Sequence, residues 1–218
     1  MLLKKKPCQN WRLYAITCPE RLAGRELVGL AEAAIRGGAD VLQLRDKEAS
    51  DEEFLAKARS LLSLTRRLGV PLLINDRLQL ARECGADGVH LGQEDGSLAE
   101  ARRILGEGTL IGRSTHNPEQ ALAAEREGFD YVGIGPIYAT PTKPASAPVG
   151  LDLVRFAAAR LKIPFVAIGG IDKSNIREVS DAGAGCVAVV RALLGSDDPK
   201  NAARTLLREM KRDRNGDQ

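Results

Sequence analysis

Seven polar clusters follow short apolar runs along the chain, and they contain the residue types that could do chemistry. The clusters are Gln43-Leu44-Arg45-Asp46-Lys47, Asn75-Asp76-Arg77, Gln93-Glu94-Asp95, Ser114-Thr115-His116, Thr140-Pro141-Thr142-Lys143, Gly169-Gly170 and Val190-Arg191. If the apolar runs are parallel strands of one barrel, all seven clusters lie on the rim where the strands end, which carries the active site in barrel enzymes. Cations, acids and glycines together suit a phosphorylated substrate bound with a metal ion.

Two aspartates in these clusters form a candidate metal site. Asp76 and Asp95 follow the third and fourth apolar runs, and adjacent parallel strands would bring their carboxylates close together. Mg²⁺ is usually held by one or two carboxylates, with substrate phosphates and water completing its coordination. Taken alone, each aspartate could equally cap a helix. Arg45, Lys47 and Lys143 could supply positive charge that faces the acids.

The remaining clusters favour a site that binds phosphate and a heterocycle. Gly169-Gly170 and Val190-Arg191 follow the last two runs, where barrel enzymes often bind phosphate through backbone amides. Gln43 and Asn75 each offer a donor and an acceptor to a heterocycle. We interpret His90, which lies inside an apolar run, as an interior residue rather than a base. The sequence contains no evident nucleophile–base pair, so it favours an electrostatic site.

The apolar runs predict eight strand–helix units. The predicted strands are 12–17, 41–44, 71–74, 88–91, 110–112, 131–135, 165–168 and 187–190. The predicted helices include one ending at Gly37-Gly38, one from about 51 to 68, one ending at Cys84, one from about 97 to 105, one opened by Asn117-Pro118, one beginning near Ser174 and a last one reaching about Met210. This alternation predicts a parallel sheet closed into a single (β/α)8 barrel, an α/β fold, with an open doubly wound sheet as the alternative.

The run of small residues before several strands supports the same fold. Four predicted helices end in a Gly-Ala-Asp sequence or a variant of it: Gly38-Ala39-Asp40, Gly85-Ala86-Asp87, Gly128-Phe129-Asp130 and Gly183-Ala184-Gly185. Glycine can end a helix, and the next strand then starts at once. No linker or change in composition divides the chain, so we expect one domain over 1–218, with a core from about 12 to 210.

A long connection follows the sixth strand. It runs over 136–148 and contains four prolines, two threonines and Lys143. Strand-to-helix loops in α/β units are usually about 2–6 residues long, so a longer one on the active rim is a candidate lid. A disordered surface loop is the alternative interpretation.

Composition excludes several classes of protein. The chain has 218 residues, of which 44% are hydrophobic and 28% charged, and its net charge of +3 indicates no nucleic-acid partner. The cysteines are Cys8, Cys18, Cys84 and Cys186. None forms a CxxC pair, which favours reduced thiols. The sequence shows no signal peptide and no long apolar stretch, so we expect a cytoplasmic protein without membrane contact.

The quoted motifs resemble those of thiamine phosphate synthases. The resemblance extends over about 14–199 and includes 43–47 (QLRDK), 74–77 (INDR), 88–95 (GVHLGQED), 114–117 (STHN), 133–143 (GIGPIYATPTK) and 167–170 (AIGG). It implies a transferase that joins a hydroxymethylpyrimidine pyrophosphate to a thiazole phosphate, releases pyrophosphate and makes thiamine monophosphate. It also implies small-molecule substrates and Mg²⁺ as the cofactor, and it leaves a homodimer open.

The same resemblance implies a role for individual residues. Asp76 and Asp95 would hold Mg²⁺, and Arg45, Lys47 and Lys143 would be catalytic. The pyrimidine pyrophosphate would contact Gln43, Leu44, Arg45, Asp46, Lys47, Asn75, Ser114 and Lys143. The thiazole phosphate would contact Thr140, Pro141, Thr142, Gly170, Val190 and Arg191.

Two residues depart from the family pattern. Arg191 stands where the family usually has serine, and Arg113 stands where it usually has a small or apolar residue, which leaves details of phosphate and pyrimidine binding open. Three rival functions also stay open: a thiazole tautomerase of the same fold, a catalytically silent phosphate-binding barrel and another sugar-phosphate isomerase. The intact acids and cations argue against the first two, and the lack of an evident general base argues against the third.

Overall fold

The computed structural model describes residues 8–17, 24–140 and 147–210, and its eight parallel strands close into one barrel in chain order. The strands are β1 (Leu13–Ile16), β2 (Val41–Leu44), β3 (Leu72–Asn75), β4 (Gly88–Leu91), β5 (Leu110–Thr115), β6 (Tyr131–Ile134), β7 (Phe165–Ile168) and β8 (Val187–Val189). Closure comes from the pairing of β1 with β8, in which Tyr14 is opposite Ala188. The predicted (β/α)8 barrel is confirmed.

Helices follow the strands and cover the outside of the barrel. They are α1 (Leu27–Gly37), α2 (Asp51–Leu68), α3 (Leu78–Cys84), α4 (Leu98–Leu105), α5 (Pro118–Glu127), α6 (Gly150–Arg160), α7 (Ile176–Asp181), α8 (Arg191–Leu194) and α9 (Pro199–Met210), after a short 3₁₀ helix at Cys8–Asn10. Among the described helices, none is both long and apolar enough to cross a membrane.

Local capping explains why several helix boundaries match the prediction. The Ser50 hydroxyl accepts a hydrogen bond from the Glu53 amide, and the Glu53 carboxylate accepts one from the Ser50 amide, so α2 begins with a complete capping box. The Asn117 side chain caps α5, with Pro118 in the first helical position. Gly69 ends α2 with φ of 69°, a left-handed conformation that glycine adopts at little cost.

Two predicted elements differ from the structure by more than one or two residues. β5 continues to Thr115 instead of ending at Gly112, because its polar last residues still pair with β6. The predicted last helix is two helices, the one-turn α8 and the longer α9, and Pro199 starts the second. α7 begins at Ile176, close to its predicted start near Ser174.

Aspartates of the repeated Gly-Ala-Asp sequences tie neighbouring strands together at the amino-terminal end of the barrel. Each carboxylate precedes an even-numbered strand and accepts an amide hydrogen bond at the start of the odd-numbered strand beside it. The bonds join Asp40 to the Arg12 and Leu13 amides (2.9 and 3.2 Å), Asp87 to the Leu72 amide (2.9 Å) and Asp130 to the Ile111 amide (2.8 Å). The fourth sequence has Gly185 in this position, so β7 and β8 lack the equivalent bond.

Aromatic side chains fill the lower interior of the barrel. Trp11 is 3% exposed and packs edge-on against Tyr14 and Tyr131, with ring centroids 5.8 and 5.5 Å away. A Cβ atom at Gly112 would collide with the Tyr131 ring, so glycine at this strand position makes room for the phenol. The barrel interior around Trp11, Tyr14 and Tyr131 is therefore filled by packed side chains.

The stability contributed by Asp87 should depend on pH. Burial raises the pKa of Asp87 above its ordinary value of 3.8, so its contribution is complete below that value and is lost as the pH rises through the raised pKa. Asp87→Asn keeps an oxygen for the Leu72 amide without the charge. We expect this variant to gain stability relative to the wild type between about pH 3.5 and about pH 7, measured by urea unfolding.

The matched control is Asp130→Asn. Asp130 also receives a 2.8 Å hydrogen bond from Arg102, whose side chain is 14% exposed. Removing the charge should therefore cost about 1–3 kcal/mol at neutral pH. A stability difference between Asp87→Asn and the wild type that stays constant with pH would contradict the prediction for Asp87.

Candidate active site

A cavity of about 360 Å³ opens at the carboxyl ends of the strands. Strand ends and strand-to-helix loops from all sides of the barrel form its wall. The predicted site residues that line it are Gln43, Arg45, Asn75, Ser114, Thr140, Gly170, Val190 and Arg191. The structure thus brings these eight predicted site residues into one cavity, on the rim where the sequence predicted them.

Asp76 and Asp95 come together beside this cavity. The two carboxyl groups are in hydrogen-bonding contact, and the ammonium of Lys47 lies 3.7 Å from Asp76 Oδ2. Within the described ranges, Asp76 is the one non-glycine residue with positive φ, at 61°, and its amide donates to the His90 carbonyl. Aspartate tolerates this conformation better than most residues. The backbone therefore holds the Asp76 carboxyl group against its neighbour.

The acidic pair has the composition of a magnesium site. Burial raises the pKa of Asp95, but the contact with Asp76, the Gly92 amide and the charges of Lys47 and Arg113 outweigh it and leave the pKa below its ordinary value. Among the described residues, no third acid, histidine or cysteine joins the pair in a metal-binding group. Two carboxylates with the remaining positions left to phosphate and water fit Mg²⁺.

Two predicted substrate-binding residues have side chains that serve the fold instead. Leu44 is fully buried in the main hydrophobic core. The Asp46 carboxylate is 4% exposed, and it accepts hydrogen bonds from Lys57 Nζ at 2.6 Å and from the Ala49 amide at 3.1 Å. Burial raises the pKa of Asp46, but its bond to Lys57 contributes to lowering it below the ordinary value. The structure does not bring either side chain to the cavity.

A chain of hydrogen bonds runs through the barrel interior below the cavity. Gln43 Nε2 donates to the Tyr14 hydroxyl at 2.7 Å, and the Tyr14 and Tyr131 hydroxyls are 3.1 Å apart. His90 continues the chain, with Nδ1 2.9 Å from the Tyr131 hydroxyl and Nε2 2.9 Å from Ser114 Oγ. This interior network links Gln43 to Ser114 on the far side of the cavity. The interpretation of His90 as an interior residue agrees with these contacts.

The two tyrosines are the functional candidates that sequence reasoning missed. Tyr14 and Tyr131 are 2% and 0% exposed. Burial raises the pKa of both phenols far above neutral pH, so they stay protonated and uncharged. A tyrosine inside an apolar run was the available signal, since a buried hydroxyl needs a hydrogen-bonding partner.

Gly169 and Gly170 form the opposite wall under the loop between β6 and α6. Gly170 has φ of 66°, and a Cβ atom there would lie 2.7 Å from Tyr138 Cβ and 2.8 Å from the Ala139 carbonyl oxygen. The Asn175 side chain donates to the Gly170 carbonyl at 2.9 Å, and this bond stabilises the turn after β7. The glycines thus allow the loop between β6 and α6 to pack closely against the end of β7.

The loop that was predicted to be a lid is anchored at both ends. The Ile137 and Tyr138 amides donate to carbonyls at the end of β7, at 2.9 and 3.0 Å, and the Val149 amide donates to the Pro136 carbonyl at 2.8 Å. Thr140 lines the cavity. Pro141, Thr142 and Lys143 lie outside the described residues.

A closed (β/α)8 barrel with a polar cavity and an acidic pair at the carboxyl ends of its strands has the architecture of a barrel enzyme, a class whose active sites lie on this rim. Comparison with known proteins narrows this class. The family model described as thiamine monophosphate synthase matches residues 13–193, and the chain belongs to that family of transferases. The resemblance recognised in the sequence is confirmed.

Individual relatives agree with the family assignment. The chain is 50% identical over 198 residues to a thiamine-phosphate synthase of Chloroflexus aurantiacus, covering 90% of this chain and 91% of that protein. It is 48% identical to one of Thermosynechococcus vestitus, but it spans 56% of that longer protein. A solved thiamine phosphate pyrophosphorylase of Pyrococcus furiosus superposes with a TM-score of 0.85 at 35% identity, covering 93% of this chain and 96% of that one.

The interior network can be tested by removing one hydroxyl. Tyr131→Phe keeps the ring that packs on Trp11 but loses the bonds to Tyr14 and His90. We expect unfolding to become easier by about 1–3 kcal/mol, because buried partners lose their hydrogen bonds. Tyr138→Phe is the control, since Tyr138 is partly exposed and bonds Glu178 at 3.2 Å. Equal stability losses for the two variants in urea unfolding would argue against a buried network.

Proposed function

We propose that this chain couples a hydroxymethylpyrimidine pyrophosphate with a thiazole phosphate and releases thiamine monophosphate and pyrophosphate. The main support is the contact between Asp76 and Asp95 beside a cavity with a glycine wall, in a member of the thiamine monophosphate synthase family. A relative of similar length is named a thiamine-phosphate synthase. A cytoplasmic location and a homodimeric assembly stay predictions.

The proposed chemistry breaks one bond and forms one bond at the same carbon. The bond between the pyrimidine methylene carbon and the pyrophosphate oxygen breaks, and its electron pair leaves with pyrophosphate. The electron-rich aminopyrimidine stabilises the resulting methylene cation. The thiazole ring nitrogen then donates its lone pair to that carbon. No protein nucleophile is required, which agrees with the lack of a nucleophile–base pair in the sequence.

The leaving group would be bound at the acidic end of the site. Asp76 and Asp95 would hold Mg²⁺ on the pyrophosphate, and the ion would neutralise charge that builds up on the leaving oxygens. Lys47, already 3.7 Å from Asp76, would contact the same group together with Arg45 and Lys143. Electrostatic stabilisation of this kind acts most strongly where water is excluded.

The pyrimidine ring would lie on the interior network. Because Gln43 Nε2 donates to Tyr14, its Oε1 atom is left for the cavity, and no described residue donates to it. Ser114 lies at the other end of the network. Asn75 lies at the end of β3, the strand next to the one that carries Gln43. These uncharged groups would orient the ring without opposing the positive charge on the methylene carbon. Backbone atoms of 44–46 are the parts of that segment suited to substrate contact.

The thiazole phosphate would occupy the glycine wall. Gly170, Val190 and Arg191 line that side of the cavity, and Thr140 reaches it from the loop. Pro141 and Thr142 continue the same loop and would complete this site. Closure of the loop would exclude water, which otherwise competes with the thiazole for the cation. Lys143 would then close over the pyrophosphate.

The first test is an assay with both substrates and Mg²⁺, in which thiamine phosphate is oxidised to fluorescent thiochrome. We expect product from the wild type in the presence of Mg²⁺, and a loss of about a hundredfold or more in Asp76→Ala, because transition-state charge is no longer neutralised. Asp152→Ala is the control, since Asp152 is 95% exposed on α6. Well-folded wild-type protein without product would support the tautomerase or the silent barrel instead.

A second test separates the two substrate sites. In Gly170→Ala, the added methyl group would press on Tyr138 and Ala139, so we expect KM for the thiazole phosphate to rise about tenfold or more, while KM for the pyrimidine pyrophosphate stays unchanged. Gly69→Ala is the control: its φ of 69° imposes similar backbone strain, and no atoms lie within 4 Å of the new methyl group. A rise in both KM values for Gly170→Ala would contradict separate sites.

A further inference from the structure

Arg113 is tied to the loop that carries Asp95. Its Nη1 atom donates to the Gly96 carbonyl at 2.7 Å, and its Nη2 atom donates to the Gln93 carbonyl at 2.8 Å. The guanidinium carbon lies 5.4 Å from the ring centroid of Phe129, which is 2% exposed. A planar guanidinium seated on a buried ring is therefore fixed in orientation, and it holds the loop on both sides of Asp95.

Further bonds fix the same loop to β5 and to itself. The Gln93 side chain donates to the Ser114 carbonyl at 2.5 Å, and Asp95 Oδ2 accepts from the Gly92 amide at 2.6 Å. The loop thus holds Asp95 against Asp76. Fixing a free residue costs backbone entropy, so a loop that is already ordered binds a cation more tightly.

We propose that Arg113 is a positioning residue that holds the loop at 92–97 so that Asp95 is preorganised to bind Mg²⁺ together with Asp76. The proposal rests on the proposed function, in which these two acids hold the ion on pyrophosphate. Arg113 acts through the loop backbone and does not itself contact the ion or the substrate. Arg113 lies in β5, opposite Leu91 of β4. Its guanidinium therefore connects the loop of the ion site to the strand that carries Ser114.

The charge of Arg113 alone would have the opposite effect. A positive group near the acidic pair repels a cation, so neutralising it should strengthen cation binding if electrostatics were its whole contribution. If Arg113 instead positions the loop, its removal should weaken cation binding. Lysine keeps the charge but lacks the rigid fork that reaches both carbonyls. The two variants together therefore separate position from charge.

The experiment measures binding and activity on the full chain. Free Mn²⁺ is titrated by electron paramagnetic resonance in the presence of pyrophosphate, and the Mg²⁺ concentration for half-maximal activity is measured separately. For both Arg113→Met and Arg113→Lys, we expect the Kd for Mn²⁺ and the Mg²⁺ concentration for half-maximal activity each to rise about tenfold. This rise is equivalent to losing one charge-assisted hydrogen bond. KM for the thiazole phosphate should stay unchanged, because the glycine wall is on the other side of the cavity.

The matched control is Arg102→Met. Arg102 also donates to a loop carbonyl, that of Thr109, and to Asp130, but it does so at the opposite end of β5. This variant should lose stability without a change in the Mn²⁺ or Mg²⁺ values. A general loss of stability is thereby distinguished from a loss of position, and Arg113→Lys carries the test if Arg113→Met does not fold.

The outcomes separate this proposal from the proposed function. Mn²⁺ affinities of both Arg113 variants equal to or tighter than that of the wild type would overturn the positioning role and leave the metal site standing. A wild type that binds no Mn²⁺ with pyrophosphate would overturn both the metal site and the role of Arg113. Weaker binding in both Arg113 variants, with Arg102→Met unaffected, would support the proposal.

Discussion

Closure of the barrel by β1 and β8 is the constraint on which the rest of the structure depends. Tyr14 lies opposite Val41 on one side and Ala188 on the other, so the first strand is paired along both edges. A closed sheet leaves no free strand edge, and it fixes which strand ends face each other across the rim. Residues far apart in sequence, such as Gln43 and Ser114, therefore line one cavity.

The interior network and the acidic pair avoid the desolvation cost of buried polar groups in two different ways: the first by neutral hydrogen-bonded groups, the second by exposure at the rim. Tyr14 and Tyr131 are fully buried, and they remain neutral with their hydroxyls bonded. Asp76 and Asp95 stay near the surface of the rim, where two acids can remain close together and take up a cation. The neutral network lies below and the charged groups lie above, so the proposed function would place ring recognition and charge neutralisation in separate layers of the site.

Sequence patterns predicted the fold well where local chemistry decides the structure. The capping box at Ser50 and the glycine at 69 mark both ends of α2, and the predicted bounds match. Patterns failed where pairing with a neighbour decides: polar residues at the end of β5 remain in the strand because β6 pairs with them. The site clusters were found from their position after each strand. The side-chain direction of Asp46 was not, because alternation along a strand gives no contacts for the loop that follows it. Leu44 is the last residue of β2, and its alternation with Gln43 already indicated a side chain that faces away from the cavity.

The aspartate hydrogen bonds at the amino-terminal end of the barrel join the strands in pairs. Asp40, Asp87 and Asp130 join β1 to β2, β3 to β4 and β5 to β6, so each bond lies within a pair of consecutive strands. Among the described residues, no equivalent aspartate bond joins one pair to the next. The aspartate bonds therefore reinforce three pairs of consecutive strands, and new chain termini placed between β2 and β3 or between β4 and β5 would leave each of these pairs connected in sequence.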